Sequence, residues 1–464
     1  MLAAVAGALA ACEDPSRPTA TVQAANAHDP VPCASPPAFT AGPPAAGDWP
    51  VYHRTPDRHG DDGAPATAGR LAPLWGVRLD GSTFAQPLVA GGLLVEATMH
   101  DSVYAFDAAS GCLAWKTTLG APLDVTKHHL QCNNVLPELG IMPTPAIDTA
   151  TGTVYVVAYL DPGRYELDAL DLRRGAVRWR HPLDLPGSDA LQQLSRPAVA
   201  LANSRAYVSF GGRAGDCGNY HGFVIGVRQD GRGPDVRFQV SLNREGAVWA
   251  PGGPVVLPDG DLLVSTGNTD EATQFDGGNA VVRLSPALAR RDLFAPPNWA
   301  SLNRTDMDLG SVGPTLVAGN RVFQVGKGGV GYLLDLDSLG GLGGDRYHSP
   351  LSGGCYAIGA TAYRAPLVFV PCDHSLTAVR IDGGSPRFDV AWRSPDFRSG
   401  SPIVAGGLVW DYDFEGGFLW GFDLSGRVRQ KALVGTGEHF VAPSAAGGRL
   451  YVPVQRRLYA FGLS

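Results

Sequence analysis

Four residues at fixed offsets recur along this chain, and the repeat restricts its fold more than any other feature. Ala105, Asp107, Gly111 and Trp115 reappear with the same spacing as Ala169, Asp171, Gly175 and Trp179. Each type has a physical task. Alternating apolar residues before the Asp make a strand with one face for each neighbour. The Asp accepts hydrogen bonds from the turn that follows it, the Gly takes up a left-handed conformation there, and the Trp lays a flat face on the next unit. Such a unit cannot bury its faces alone, so copies must stack.

Weaker copies fall at 223–238, 280–294, 331–341, 376–392 and 418–433. Most units open with a proline: Pro87, Pro145, Pro197, Pro254, Pro314, Pro402 and Pro443, with only the unit around Cys355 lacking one. Unit starts near Phe84, Met142, Leu194, Trp249, Leu309, Gly353, Ser399 and Phe440 predict an all-β fold, an eight-bladed β-propeller of four-stranded antiparallel blades. The last copy, Leu458 to Phe461, is followed by no Trp-bearing outer strand. Residues 71–80, carrying Trp75, have that pattern and are expected to complete the last blade and close the ring, which removes exposed strand edges. Sixty glycines and 37 prolines against 17% charged residues suit many short strands joined by tight turns.

Residues 1–11 are apolar and small, and Leu9, Ala10, Ala11 and Cys12 read as the lipobox that ends an export signal. No basic stretch precedes the run, as expected if translation starts upstream of Met1. The run is too short to span a bilayer, so 1–12 is read as a signal segment and Cys12 as the lipidation site. Residues 13–47, with Pro30, Pro32, Pro36, Pro37, Pro43 and Pro44, are expected to be a semi-extended tether. Residues 48–464 are expected to form a single propeller domain.

Without Cys12, six of the seven cysteines remain, an even number for an oxidising compartment. Cys355 and Cys372 flank the hairpin turn 363–366 almost equidistantly and are expected to pair across it. Cys132 with Cys217 is the next choice, which leaves Cys33 to staple the tether to Cys112. The net charge of −7 and scattered basic residues give no reason to expect nucleic acid.

The Ala-Asp-Gly-Trp frame resembles the tryptophan-docking repeat of the quinoprotein (PQQ) alcohol dehydrogenases and of BamB-type outer-membrane assembly lipoproteins, over most of residues 71–464. The resemblance implies the fold and a site at the mouth of the central channel. Trp249 resembles the tryptophan on which the quinone stacks, and Asn268, in Thr266-Gly267-Asn268, a calcium-ligating asparagine. Asp306 and Asp308 resemble the stretch that holds the catalytic base, either residue being eligible; Asp306 would also reach the metal. Lys327 matches the basic residue at the quinone oxygen, and Asp216 lies near the position of a calcium-binding glutamate. The chemistry is sensible on its own terms: a stacking surface, oxygen donors for Ca2+, a carboxylate base and an ammonium that polarises a carbonyl. The adjacent cysteine pair of those dehydrogenases is missing here, and no Cys-x-x-Cys-His haem motif occurs.

Two functions follow. One is an exported, lipid-tethered scaffold that binds a protein, glycan or small-molecule ligand at its channel face, touching the membrane only through the lipid. The other is a dehydrogenase using PQQ and Ca2+ to oxidise an alcohol, sugar or polymeric alcohol. The incomplete cofactor constellation places the first ahead.

Overall fold

The structure is a computed structural model and describes residues 21–65, 69–128, 130, 132 and 136–463. Eight sheets follow one another around a ring. Blade 1 spans Leu88–Ala90 to Leu113–Thr118, blade 2 Ala146–Asp148 to Val177–Pro182, and blade 3 Ala200–Ala202 to Val236–Gln239. Blade 4 runs from Val255–Val256 to Arg290–Ala295, blade 5 from Thr315–Val317 to Tyr347–Pro350, and blade 6 from Ala362–Arg364 to Asp389–Arg393. Blade 7 spans Ile403–Ala405 to Val428–Leu433. Blade 8 takes its three inner strands from Ser444–Ala446 to Arg457–Leu463 and its fourth from Leu71–Arg78, which pairs antiparallel with Arg457–Leu463. The ring closes as its sequence predicts, and the outermost strand of blade 8 is hydrogen-bonded on both edges.

The repeat residues do the work their types suggest. Asp107 Oδ1 accepts from the backbone of Ala109 and Ser110, and Asp171 Oδ1 from Arg173 and Arg174. Trp115 donates through Nε1 to Leu172 O of blade 2 at 2.8 Å. The glycine serves two purposes: Gly175 has φ +69°, and a Cβ there would stand 2.4 Å from the Trp115 ring. Trp75 over Gly111, Trp179 over Gly231 and Trp392 over Gly426 repeat the arrangement. Six of the seven start prolines immediately precede an innermost strand, whose channel-facing edge lies outside the blade's own ladder, so that a missing N–H costs little.

From Val22 onward the segment read as a tether is joined to the fold, while residues 13–20 lie outside the described residues. Val22–Gln23 adds a parallel strand to the outer edge of blade 7, Ala27–His28 another to blade 8, and Pro32 bridges to Leu113 of blade 1. The segment is extended because prolines hold it so. It is bound because the outer strands offer unpaired backbone groups.

Residues 49–62 then enter the channel and pass around its wall. Trp49 exchanges two backbone hydrogen bonds with Val89 of blade 1, and Pro50 O accepts from Ile147 of blade 2. Arg58 Nη2 donates to Val199 O, at the entry to blade 3, and Pro56 O accepts from Val256 of blade 4. His59 donates from Nε2 to Leu316 O of blade 5 and accepts at its own carbonyl from Tyr363 of blade 6. Gly60 O accepts from Val404 of blade 7. One short segment thus satisfies inner-edge groups of seven blades. Trp49, Tyr52 and His53 are fully buried, and Tyr52 packs against Ala198, Ala360 and Ala442.

All three expected disulfides are present: Cys33–Cys112, Cys132–Cys217 and Cys355–Cys372. The first ties the outer strap to blade 1. Cys12 and its lipobox lie outside the described residues, and no described helix is long and apolar enough to cross a membrane.

Candidate functional site

In a blade of four up-and-down strands, the connection entering the innermost strand and the hairpin joining the second and third strands emerge on the same face. Trp249, Asp306 and Asp308 lie in entering connections of blades 4 and 5, and Asn268 and Lys327 in second-to-third connections of the same blades. Topology therefore gathers all five on one face. Lys327 Nζ lies 5.4 Å from the Trp249 ring centroid, 2.7 Å from Asp306 Oδ1 and 2.8 Å from Asp308 Oδ2. The Asn268 N–H donates to Asp308 Oδ1 at 2.6 Å. The close approach needs Gly267, where a Cβ would stand 2.7 Å from Asp308 Oδ1.

The electrostatics follow from burial. Asp308 is buried beneath this cluster, and desolvation lifts its carboxyl to about 6 although Lys327 and the Asn268 N–H pull the other way. Burial alone would lower the Lys327 ammonium, but Asp308 and Asp306 outweigh it and hold it above its ordinary value. Asp306 is exposed, at the left-handed residue that ends the short helix Trp299–Thr305. Among the described residues its hydrogen bond in the site is to Lys327.

Sequence reasoning missed Glu245, Arg196 and Phe440. Glu245 accepts from Asn268 Nδ2 at 3.0 Å and from Arg244 at 2.5 Å, and burial lifts it to about 7. Phe440, from the segment entering blade 8, meets Trp249 at right angles with centroids 6.1 Å apart. Blades 4 and 8 are opposite in the ring, so this pair spans the channel mouth. The Arg196 guanidinium lies 4.7 Å from the Phe440 ring and 5.5 Å from that of Trp249. One signal was available in the sequence: among the residues that precede the start prolines, Arg196 alone is charged. Beside Lys327 a cleft of about 600 Å³ opens toward blade 6, lined by Tyr356, His374, Arg393 and Asp396 among others.

The calcium donors expected from the sequence have partners within the protein. Both Asp308 oxygens are taken, by an ammonium and a backbone N–H. The Asn268 amide nitrogen donates to Glu245, and Asp216 accepts the Tyr220 hydroxyl. No group of three or more His, Cys, Asp or Glu side chains among the described residues is placed to hold a metal ion. Asn268 thus bonds Asp308 and Glu245, Asp306 bonds Lys327, and Asp216 bonds Tyr220.

A family model described as outer membrane protein assembly factor BamB matches residues 64–276. The chain has the PQQ-like eight-bladed propeller fold. Quinohemoprotein alcohol dehydrogenase from Comamonas testosteroni superposes with a TM-score of 0.69 at 14% identity, over 90% of this chain and 80% of the other. A europium-containing methanol dehydrogenase gives 0.69 at 15% identity, over 90% and 98%. BamB from Moraxella catarrhalis gives 0.58 at 16%, over 85% and 98%. Comparison with curated proteins found no significant match. Identities this low show the PQQ-like propeller fold and leave function to the site.

Proposed function

We propose that this PQQ-like propeller is an exported binding module, acylated at Cys12, whose ligand sits at the channel mouth on Trp249 and along the cleft beside Lys327. The observation that carries the reading is the Lys327 ammonium between Asp306 and Asp308. A fixed internal cation already neutralises the carboxylates that a divalent ion would need. Residues 49–62 give the mouth a protein floor, so the ring offers a concave, aromatic and polar surface rather than a conduit. Three disulfides suit an oxidising compartment. A small molecule, a glycan chain or a protein loop are the partner classes such a mouth would take.

The dehydrogenase reading is favoured by one observation, the gathering of Trp249, Asn268, Asp308 and Lys327 on a single face. Calorimetric titration of PQQ with and without Ca2+ separates the two. The binding-module reading expects no calcium-dependent quinone binding and no change in melting temperature with a chelator. Tight PQQ binding that requires Ca2+ and disappears in Trp249→Ala would replace it with the enzyme. Acylation has its own readout: Cys12→Ser should move the protein from the membrane to the soluble fraction, and an unchanged partition would remove the lipid from the proposal.

A further inference from the structure

Arg196 stands apart from the other cations of the mouth. Lys327 is spent on two aspartates, and Arg398 is paired with Asp373 and Glu415. Arg196 has no ion pair and no hydrogen bond among the described residues, and its Nε is enclosed without a partner. A guanidinium carries five N–H donors in a planar fork, and enclosing it without an acceptor costs free energy. Its neighbours are ring faces. Phe414, His439 and Phe440 form a stack with centroid separations of 4.6 and 4.2 Å, and Arg196 packs against the Phe440 end.

The stack is held at a conformational cost. Phe440 has φ +77°, a conformation that a bulky side chain adopts only when its surroundings impose it. His439 adds no charge, because burial, with Arg196 and Arg398 nearby, depresses its pKa to about 4. Arg196 keeps its proton at neutral pH, since burial lowers it only to about 10. Cation–π contacts with the two rings account for part of the stabilisation. They leave the enclosed Nε–H without an acceptor.

We propose that Arg196 is the anchor for a carboxylate-bearing small molecule at the channel mouth, its carboxylate accepting from the guanidinium while its body rests on Trp249 and Phe440. The inference deepens the binding-module reading and rests on it. A carboxylate matches the planar fork with two parallel hydrogen bonds, which an ammonium could not offer. The half-buried rings beside it take the apolar part of the same ligand.

The test is calorimetry on the full chain with matched probes: glucuronate against glucose, benzoate against benzyl alcohol, and inorganic phosphate. The acid of at least one pair should bind and its neutral counterpart should not. Arg196→Gln should weaken that binding at least about tenfold, with Arg196→Lys in between. The bound acid should also change tryptophan emission, and Trp249→Phe should abolish the change. If Arg196→Gln does not fold, the acid and neutral pairs with Trp249→Phe still decide. The proposal is overturned if no acid binds, if acid and neutral probes bind alike, if phosphate binds as tightly as the carboxylates, or if folded Arg196→Gln binds like the parent. Equal binding of glucose and glucuronate would overturn the carboxylate and leave the binding module standing, whereas calcium-dependent quinone binding would overturn the module itself.

Discussion

Replacing Trp49 by Ala is expected to destabilise the propeller by about 3–5 kcal/mol, the range for emptying a fully buried large aromatic site. Trp49 has no exposed surface, and its Nε1 donates to Gln86 Oε1 at 3.1 Å. The same oxygen accepts from the His53 N–H at 2.7 Å, while Gln86 Nε2 donates to Pro443 O of the segment entering blade 8. The glutamine therefore links the channel segment, blade 1 and blade 8 at one point. Trp49→Phe should lose only the indole hydrogen bond and part of the volume, about 1–2 kcal/mol. Denaturant melts of the three proteins measure both differences. A Trp49→Ala midpoint equal to the parent's would show that residues 49–62 are a passenger in the channel and not part of its core.

Lys327→Met is expected to cost about 1 kcal/mol at pH 7 and about 1.4 kcal/mol more for each further pH unit until the variant's own pKa is passed, because it removes the counter-ion of a buried carboxylate and leaves the other oxygen of Asp308 with one backbone N–H. The defect should depend on pH in a defined sense. Asp308 has a folded-state pKa raised to about 6, above its unfolded value. Between those values the native state binds more protons than the unfolded state, so this group's contribution to stability falls as pH rises through that window. Without Lys327 the folded pKa rises further and the fall continues to higher pH. The gap between parent and variant should therefore be small below about pH 6, where the folded acid is largely neutral in both, and should widen as pH rises above it. Asp308→Asn in the Lys327→Met background should recover much of the loss at pH 7. A gap independent of pH would mean that Lys327 contributes packing and not charge.

The fold was legible because its signals are local. Asp107 bonds two backbone groups within three residues of itself, and Gly111 needs its left-handed φ whatever surrounds it. Trp115 reaches only the next blade. Such requirements leave similar residue types at similar offsets from copy to copy, which is why blade count, blade starts and the closing strand could be read from letters. The Cys355–Cys372 pairing was legible for the same reason, as a property of one hairpin. Trp249, Asn268, Asp308 and Lys327 could be placed on one face because their blades are neighbours and each lies in a connection.

What the tertiary structure decided are contacts between segments far apart in the chain. Residues 49–62 carry no repeat, since each meets a different blade, with Asp62 accepting from a backbone N–H 344 residues away at Gly406. Phe440 meets Trp249 only because eight blades close into a ring that sets the fourth opposite the eighth. The role of Lys327 was likewise open. A lysine near two aspartates suits a quinone oxygen or an ion pair equally, and only the distances to Asp306 and Asp308 show where its charge is spent. Sequence by itself determined the repeating unit, the number of blades and the closure, because backbone geometry and nearest-neighbour packing are written into short stretches. Ring closure decided what fills the channel and what faces its mouth, because those contacts exist only once distant blades stand side by side.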